Sequence, residues 1–521
     1  MDPDPRDEDL HALIRRQAER YGERVFMSFG DGGSMSFAAF ERRVAGMRGH
    51  LRELGVTAGD RVALMLKNSL FYPVAWLGTV SAGAVAVPIN SRLREVDARY
   101  ILDHSRAAAV VTDDSVEDVA RLAGGAERTY FVARAGDAMD EVERTDPVPP
   151  PATTPGARAN IQYTSGTTGF PKGCLLSHRY WQRIGATASE LFGLEERDVL
   201  LTAQPHSYMD PQWNVIAALR SGCQLVLLDG FHPSTFMRDV ADWQVTVFYC
   251  LGVMPTLLLK QPPGHWDDNA VERVFCSAIP PAQHRAIEER WGAPWYELFG
   301  MTESGANIAV APKDHDRVVG TACLGRALSH NEATVVDDDD RELPPGEVGE
   351  LVLRGLGFMD GYHDDPVATA QVFRNGWLHT GDLATRGADG LLYYTGRAKE
   401  MIRRAGENIA PVEIETALAT HGAVLECAVA PVPDPDLGEE AKAYVVLRPG
   451  VRATVGDLHG FLRERIAPFK VPRYWEIRGS LPHTASEKVA KHELEAGRAS
   501  FLDGTADLRP PARKSASTPT G

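Results

Sequence analysis

Apolar residues recur at three- and four-residue spacing along FAAFERRVAGMRGHLREL, from residue 37, and this stripe predicts an amphipathic helix. RVALML (61–66), AAVVT (108–112) and QLVLL (224–228) are instead short apolar runs of strand length. Helix and strand patterns alternate in this way from about residue 35 to 230, which predicts parallel sheets covered by helices. Between 320 and 395 the texture becomes strand and turn, with ATVVD, ELVLRG and LLYYTG separated by polar stretches such as DDDDRELPPGEVG. After Gly396 a second compact unit follows. It has helical patterns at 411–420 and 455–466 and strand patterns at 424–432 and 442–447. The fold class expected is therefore α/β, with a large N-terminal domain of helix-covered β-sheets (1–396), a β-rich subdomain within it, and a small α+β C-terminal domain (401–503). Residues 504–521 lack large apolar groups almost entirely and read as a disordered tail.

Composition narrows the class. At 521 residues, 44% hydrophobic and 24% charged, the chain has the make-up of a globular protein of two to four domains. One run, FYPVAWLGTVSAGAVAVPI (71–89), is long enough to raise a membrane span. Pro73, Gly78, Gly83 and its strand-like end favour a core helix followed by a strand. A net charge of −16 argues against a nucleic-acid partner, whose phosphates need clustered Lys and Arg. The six cysteines lie far apart with no C-x-x-C pair, which indicates neither a zinc site nor a disulfide framework. With an acidic N-terminus that lacks the order of a signal peptide, they point to the cytoplasm. The Asp337–Asp340 run lacks the spaced ligands of a calcium loop and reads as a solvated hairpin turn.

The clearest chemical signal is a glycine loop. Strand-like ANIQYT leads into SGTTGFPKG (165–173), and a helix is expected from about Ser177. Gly166 and Gly169 allow a tight turn that presents backbone N–H groups. Thr164, Ser165, Thr167 and Thr168 add hydroxyls, and Lys172 adds a mobile positive charge. That combination suits a polyphosphate. It is not a Walker loop, because Lys172 comes three places after Gly169 and is followed by Gly173.

YTSGTTGFPKG (163–173) resembles the signature of the adenylate-forming enzymes, the superfamily of acyl-CoA synthetases, peptide-synthetase adenylation domains and luciferases. The chain looks closest to the acid–CoA ligases, and the resemblance recurs in order over residues 10–495. In ELFGMTESG (297–305) it implies a nucleotide-binding segment of Glu297, Phe299, Gly300 and Met301, with Phe299 stacked on adenine. Thr302 would touch the α-phosphate and Glu303 would help hold Mg²⁺. In WLHTGDLA (377–384) it assigns Asp382 to the ribose hydroxyls and gives His379 no role. In GRAKEMIRRAGENIAPVEIE (396–415) Arg397 would reach the ribose, Lys399 would be the hinge residue within 397–400, and Gly406 would line the channel for the CoA thiol. In LPHTASEKVAKHEL (481–494) the catalytic lysine falls on Lys488, with Glu487 where the similar enzymes usually have Gly.

Two places depart from the pattern. In QPHSYMDPQW (204–213) Tyr208 stands where many relatives carry a gating His, and His206 is out of register. Tyr208, Asp210 and Trp213 are therefore substrate-pocket candidates. In CSAIP (276–280) Ser277 and Ala278 replace two glycines of the pocket floor, which implies a compact acid. The activity implied is ATP-dependent conversion of a carboxylic acid to acyl-AMP with release of pyrophosphate. Transfer to CoA follows, with a mobile small domain rotating between the two steps. ATP, Mg²⁺ and CoA are the cofactors implied, and the partners are a small-molecule acid and CoA, with a homodimer compatible. An alternative is an adenylating enzyme with another acceptor or acid, such as a nitrite-activating diazotase of an aromatic amine. A scaffold that binds adenylate without catalysis is a further reading, against which the set Thr302, Glu303, Asp382, Arg397 and Lys488 argues.

Overall fold

The computed structural model describes residues 8–508, apart from 31–32, 135–136, 165–170, 253, 263–268, 399, 405–406, 435–437, 485–488 and 496–499. The helical stripe at 37 forms the helix Phe37–Glu53. Ser36 caps it by accepting from the Ala39 N–H, and Phe40, Val44, Met47 and Leu51 turn into the core. The apolar run at 71–89 divides into the helix Phe71–Ser81, buried on every side, and the strand Val85–Pro88. Among the described residues no helix is long and apolar enough to cross a membrane.

Two sheets build the large domain. The first has six strands in the order 129–133, 109–113, 61–65, 85–88, 158–164, 172–177; only the last runs antiparallel to its neighbour. The second is fourteen-stranded. Its centre is a parallel set, in the order Gln224–Leu227, Val199–Thr202, Val247–Leu251, Arg273–Ser277, Trp295–Met301. Leu200, Leu201, Val226, Phe248, Cys250, Val274 and Cys276 are all buried, as strands covered on both faces require. Beyond Trp295–Met301 the same sheet turns antiparallel and takes in the strand-and-turn region of 320–395, so that region extends the parallel sheet edgewise. The acidic run at 337–340 forms the turn after the strand Asn331–Val336, and Asp337 Oδ1 accepts from the N–H groups of Asp339 and Arg341.

The small domain packs the helices Pro411–Ala419 and Val455–Arg463 on a third sheet around Ile402, Ile409, Ile414, Leu418, Val445, Leu462 and Trp475. The tail boundary moves. Ala506–Asp507 adds a strand against Tyr474–Trp475, Leu508 N donates to Arg473 O, and Arg473 pairs with Asp507 at 2.8 Å. Main-chain pairing, the Arg473–Asp507 ion pair and the packing of Ala506 and Leu508 on the small-domain core order this segment, which needs few of the large apolar side chains whose scarcity reads as disorder. All six cysteines are free thiols.

Candidate active site

The strands on either side of the glycine loop pair with each other. Arg158–Thr164 pairs antiparallel with Lys172–Ser177, and Thr164 lies opposite Lys172. The helix expected from about Ser177 is His178–Phe192, capped by Ser177, and the strand Lys172–Ser177 that precedes it has no counterpart in the sequence-based expectation. Ser165, Gly166, Thr167, Thr168 and Gly169 lie outside the described residues.

The segment 360–363 is laced to the second hairpin strand by Leu175 N–Gly361 O at 2.9 Å and His363 N–Gly173 O at 2.7 Å. This sets the Tyr362 ring 5.1 Å from Lys172 Nζ, and the Tyr362 hydroxyl donates to Glu303 Oε1 at 2.8 Å. Tyr362 thus joins the loop lysine to the acidic residue expected at the metal. Burial, with the Glu303 charge beside it, holds this phenol well above its ordinary range, so it acts as a donor. GFMDGYHDDP carries no periodic or chemical signal that would single Tyr362 out.

Thr302, Glu303 and Ser304 form the turn between the strands Trp295–Met301 and Gly305–Ala309. Phe299, Met301 and Thr302 are half-buried, and Glu303 is buried. A Cβ at Gly300 would come within 2.3 Å of the Gly305 carbonyl oxygen, so this position needs glycine for the two strands to close beneath the turn. Glu297 turns both carboxylate oxygens onto the backbone, accepting from Ala278 N at 2.7 Å and Ile279 N at 2.9 Å. Its contribution is to hold the pocket corner, where Ala278 adopts a left-handed φ of 69° that costs a non-glycine residue about 1–2 kcal/mol.

Burial raises the Glu297 carboxyl to about 8 against the pull of those two N–H groups. The folded value lies above the ordinary one, so the stability linked to its proton is complete below about 4.5 and is lost as pH rises through about 8. Thermal unfolding should follow this. The wild-type midpoint is expected to fall more steeply between about pH 5 and 8 than that of Glu297→Gln, and parallel curves would refute the assignment.

Asp382 and Arg397 face each other on the paired strands Trp377–Arg386 and Leu392–Arg397, joined at 2.9 Å. Asp382 is buried and Arg397 half-buried. Burial pulls the guanidinium down, but Asp382, Tyr394 and Glu400 more than offset it and hold Arg397 above its usual value. The neighbouring Glu350 braces this loop by accepting from Gly381 N and contacting His379 Nδ1. His379 is thus tied into the framework.

At the altered pocket segment, Tyr208 is extended and precedes the helix Met209–Ser221, and its hydroxyl meets Asn90 Nδ2 at 3.1 Å. Trp213 Nε1 donates to Asp210 Oδ1 at 3.3 Å, the Trp213 ring packs edgewise on Tyr249 at 5.1 Å, and the Tyr249 hydroxyl meets Ser277 Oγ at 2.8 Å. One contact chain therefore links Asp210, Trp213 and Ser277. His206 is buried beside Tyr72, and burial lowers its imidazole to about 3, so it is neutral.

These residues come from separate segments, yet most gather at the carboxyl ends of adjacent parallel strands. Tyr208 and Asp210 follow Val199–Thr202, Ser277 ends Arg273–Ser277 with Ala278 next to it, Thr302 and Glu303 follow Trp295–Met301, and Tyr249, midway along the intervening strand Val247–Leu251, reaches Ser277 through its hydroxyl. Open parallel sheets bind ligands at this edge. A second cluster, His284, Glu288 and His315, offers possible metal-ligand atoms within 4.8 Å, but it sits at the amino end of Trp295–Met301. Glu288 Oε1 accepts there from Trp295 N and lies 2.6 Å from His315 Nε2, while His284 Nε2 faces Trp295 O, a closed hydrogen-bond network away from the cleft.

Lys399, Gly406 and Lys488 lie outside the described residues. The flanks of the lysine segment are described: His483 bridges Val489, and Lys491 Nζ contacts Glu400 at 2.7 Å and Glu415 at 2.9 Å.

Residues 14–363 match the family model of the AMP-binding enzymes, and residues 413–488 match that of the AMP-binding enzyme C-terminal domain. The sulfoacetate–CoA ligase of Cupriavidus necator is 35% identical over 93% of this chain and 97% of its own. The crotonobetaine/carnitine–CoA ligase of Salmonella arizonae is 32% identical over 88% and 93%. Among solved structures, the o-succinylbenzoate CoA synthetase of Bacillus subtilis, in complex with its acyl-adenylate intermediate, superimposes with a TM-score of 0.84 at 26% identity. That match covers 93% of this chain and 98% of the other.

Proposed function

This chain belongs to the AMP-binding enzyme family, and from that premise we propose how its residues carry out AMP-forming acid–CoA ligation. A carboxylate oxygen attacks the α-phosphorus of ATP, the bond to pyrophosphate breaks, and acyl-AMP forms. The CoA sulfur then attacks the acyl carbon, AMP departs, and the thiol proton passes to solvent. The first step replaces a poor leaving group by a good one, and the second uses it.

The observation that carries this reading is the gathering of Asp210, Ser277, Ala278, Thr302 and Glu303 at one sheet edge, with Asp382 and Arg397 on the continuation of the same sheet. The loop Thr164–Lys172 holds the departing phosphates, Phe299 takes the adenine, Asp382 and Arg397 take the ribose, and Thr302 positions the α-phosphate. Lys488 supplies positive charge during adenylation, Lys399 is the hinge, and Gly406 admits the thiol.

Glu303 suits Mg²⁺: it is a hard oxygen donor, buried, with one oxygen bonded to Tyr362 and Lys172 nearby. Glu303 would hold the ion, whose positive charge would help offset that of the phosphates. The cytoplasm, where CoA and ATP are abundant and free thiols persist, is the compartment of this reaction.

The test combines purified protein, ATP, Mg²⁺ and CoA with a panel of acids and scores thioester by mass. Absence of both thioester and ATP–pyrophosphate exchange with every acid would refute the reading. A parallel arm with nitrite and an arylamine in place of acid and CoA separates a diazotase. Tyr362→Phe in the productive assay removes one hydrogen bond to a carboxylate, about 1.5–3 kcal/mol, and should lower kcat/KM for ATP about tenfold or more. An unchanged value would remove Tyr362 from the site.

A further inference from the structure

Resting on the reading above, in which Thr164–Lys172 holds the departing phosphates, a further group of residues grips the two strands from which that loop springs. The helix Glu95–Ser105 carries Tyr100 and His104 four residues apart, so both side chains leave one face of it. Their rings stack with centroids 5.4 Å apart. Each reaches a different strand. His104 Nδ1 lies 2.7 Å from the hydroxyl of Tyr163, the residue before Thr164, and the Tyr100 hydroxyl donates at 3.2 Å to the carbonyl of Pro171, the residue before Lys172. One helix face therefore holds the chain where it enters the loop and where it leaves.

His363 closes the group. Its N–H donates to Gly173 O at 2.7 Å, its Nε2 lies 3.1 Å from His104 O, and its ring stands edgewise to that of His104 at 5.2 Å. Gly173 is the strand partner of Tyr163, and a Cβ there would come within 2.6 Å of Ile161 and 3.2 Å of the Tyr163 ring, so only glycine lets the tyrosine lie across the pair. The His104–Tyr163 bond also has a direction. Burial is the main cause that holds the Tyr163 phenol well above its ordinary range, so it keeps its proton and donates. Burial, outweighing the mixed charges of His363, Asp364, Arg106 and Asp365, lowers the His104 imidazole, which is therefore neutral and accepts at Nδ1.

We propose that His104 is a positioning residue for the ATP phosphates: through Tyr163, and with Tyr100 on the other strand, it fixes the spacing of the two strands that carry the glycine loop. A loop whose ends are set before ATP arrives spends less of the binding free energy on ordering. The gain falls on the β- and γ-phosphates, which the loop holds, and not on the adenosine end, which Phe299, Asp382 and Arg397 take. A comparison of ATP with AMP therefore separates this role from general support of the fold.

Calorimetric titration of the full-length protein with ATP and with AMP, each with Mg²⁺, gives a Kd for both. His104→Phe keeps a ring and removes the acceptor. Its Kd for ATP should rise about three- to tenfold, the loss of one hydrogen bond, with the Kd for AMP unchanged. Tyr163→Phe removes the same bond from the strand side and should match it, and the double variant should be no weaker than either single one. His104→Asn, whose Oδ1 takes the place of Nδ1, should recover most of the ATP affinity. An unchanged Kd for ATP, losses that add in the double variant, or equal weakening of ATP and AMP overturns the proposal. Tyr163→Phe keeps the test decisive should His104→Phe not fold. The titration needs no acid, so a wild type that binds ATP but makes no thioester and exchanges no pyrophosphate overturns the ligase reading alone, and one that does not bind ATP overturns both.

Discussion

Lys488→Ala is expected to cut ATP–pyrophosphate exchange by about 10²–10³, the usual result of removing one charge-stabilising donor from a reacting centre. The same variant, given a synthetic acyl-adenylate and CoA, should keep most of its thioester-forming rate. The asymmetry follows from the role proposed: the lysine offsets charge on the α-phosphate in the first step, and it is withdrawn with the small domain before the second. The described residues on either side of Lys488 are anchored. Ala490 N donates to Pro482 O at 2.8 Å, and Lys491 ties the segment to Glu400, beside the expected hinge residue, and to Glu415 of the small domain. Equal loss of both steps would refute the alternation, and no loss of exchange would remove Lys488 from catalysis.

Glu303→Gln should lower pyrophosphate exchange by about 10² and raise the Mg²⁺ concentration needed for half-maximal rate, since an amide gives up the charge that attracts the ion. Little change in thermal stability is expected, because the amide oxygen can still accept the Tyr362 hydroxyl that Glu303 accepts now. The separation of rate from stability is the diagnostic. A wild-type rate at every Mg²⁺ concentration would show that Glu303 belongs to the framework alone. Set beside Tyr362→Phe, the pair distinguishes the loss of charge from the loss of its positioning bond.

Much of this site was legible because its chemistry is written in short strings. The hydroxyls and glycines of TSGTTGFPKG, the carboxylate of GMTESG and the aspartate of HTGDLA each lie within a few residues of the feature that gives them meaning. Local conformation was less legible. KGCLLS is a short apolar run that fits a buried strand or the approach to a helix equally well, so the hairpin Arg158–Ser177 did not announce itself. The corner was harder still. CSAIP shows two missing glycines, but only the fold shows Ala278 at a positive φ with Glu297 bracing it from 19 residues away. Tyr362 has no local signature at all, and its meaning depends on a hydroxyl that reaches Glu303, 59 residues earlier.

The sequence by itself determined the alternating α/β plan, the family resemblance and the residues on which catalysis is expected, because periodicity and motif chemistry are properties of neighbouring positions. The tertiary structure decided which of those residues meet. Adjacent parallel strands bring Asp210, Ser277 and Glu303 to one edge, and the antiparallel continuation of that sheet carries Asp382 and Arg397. It also decided what surrounds each charge: burial raises Glu297, aromatic rings flank Asp210, and a tyrosine holds Glu303. Strand order and the burial of a charge depend on segments far apart in the chain, and they are settled only when the whole core packs.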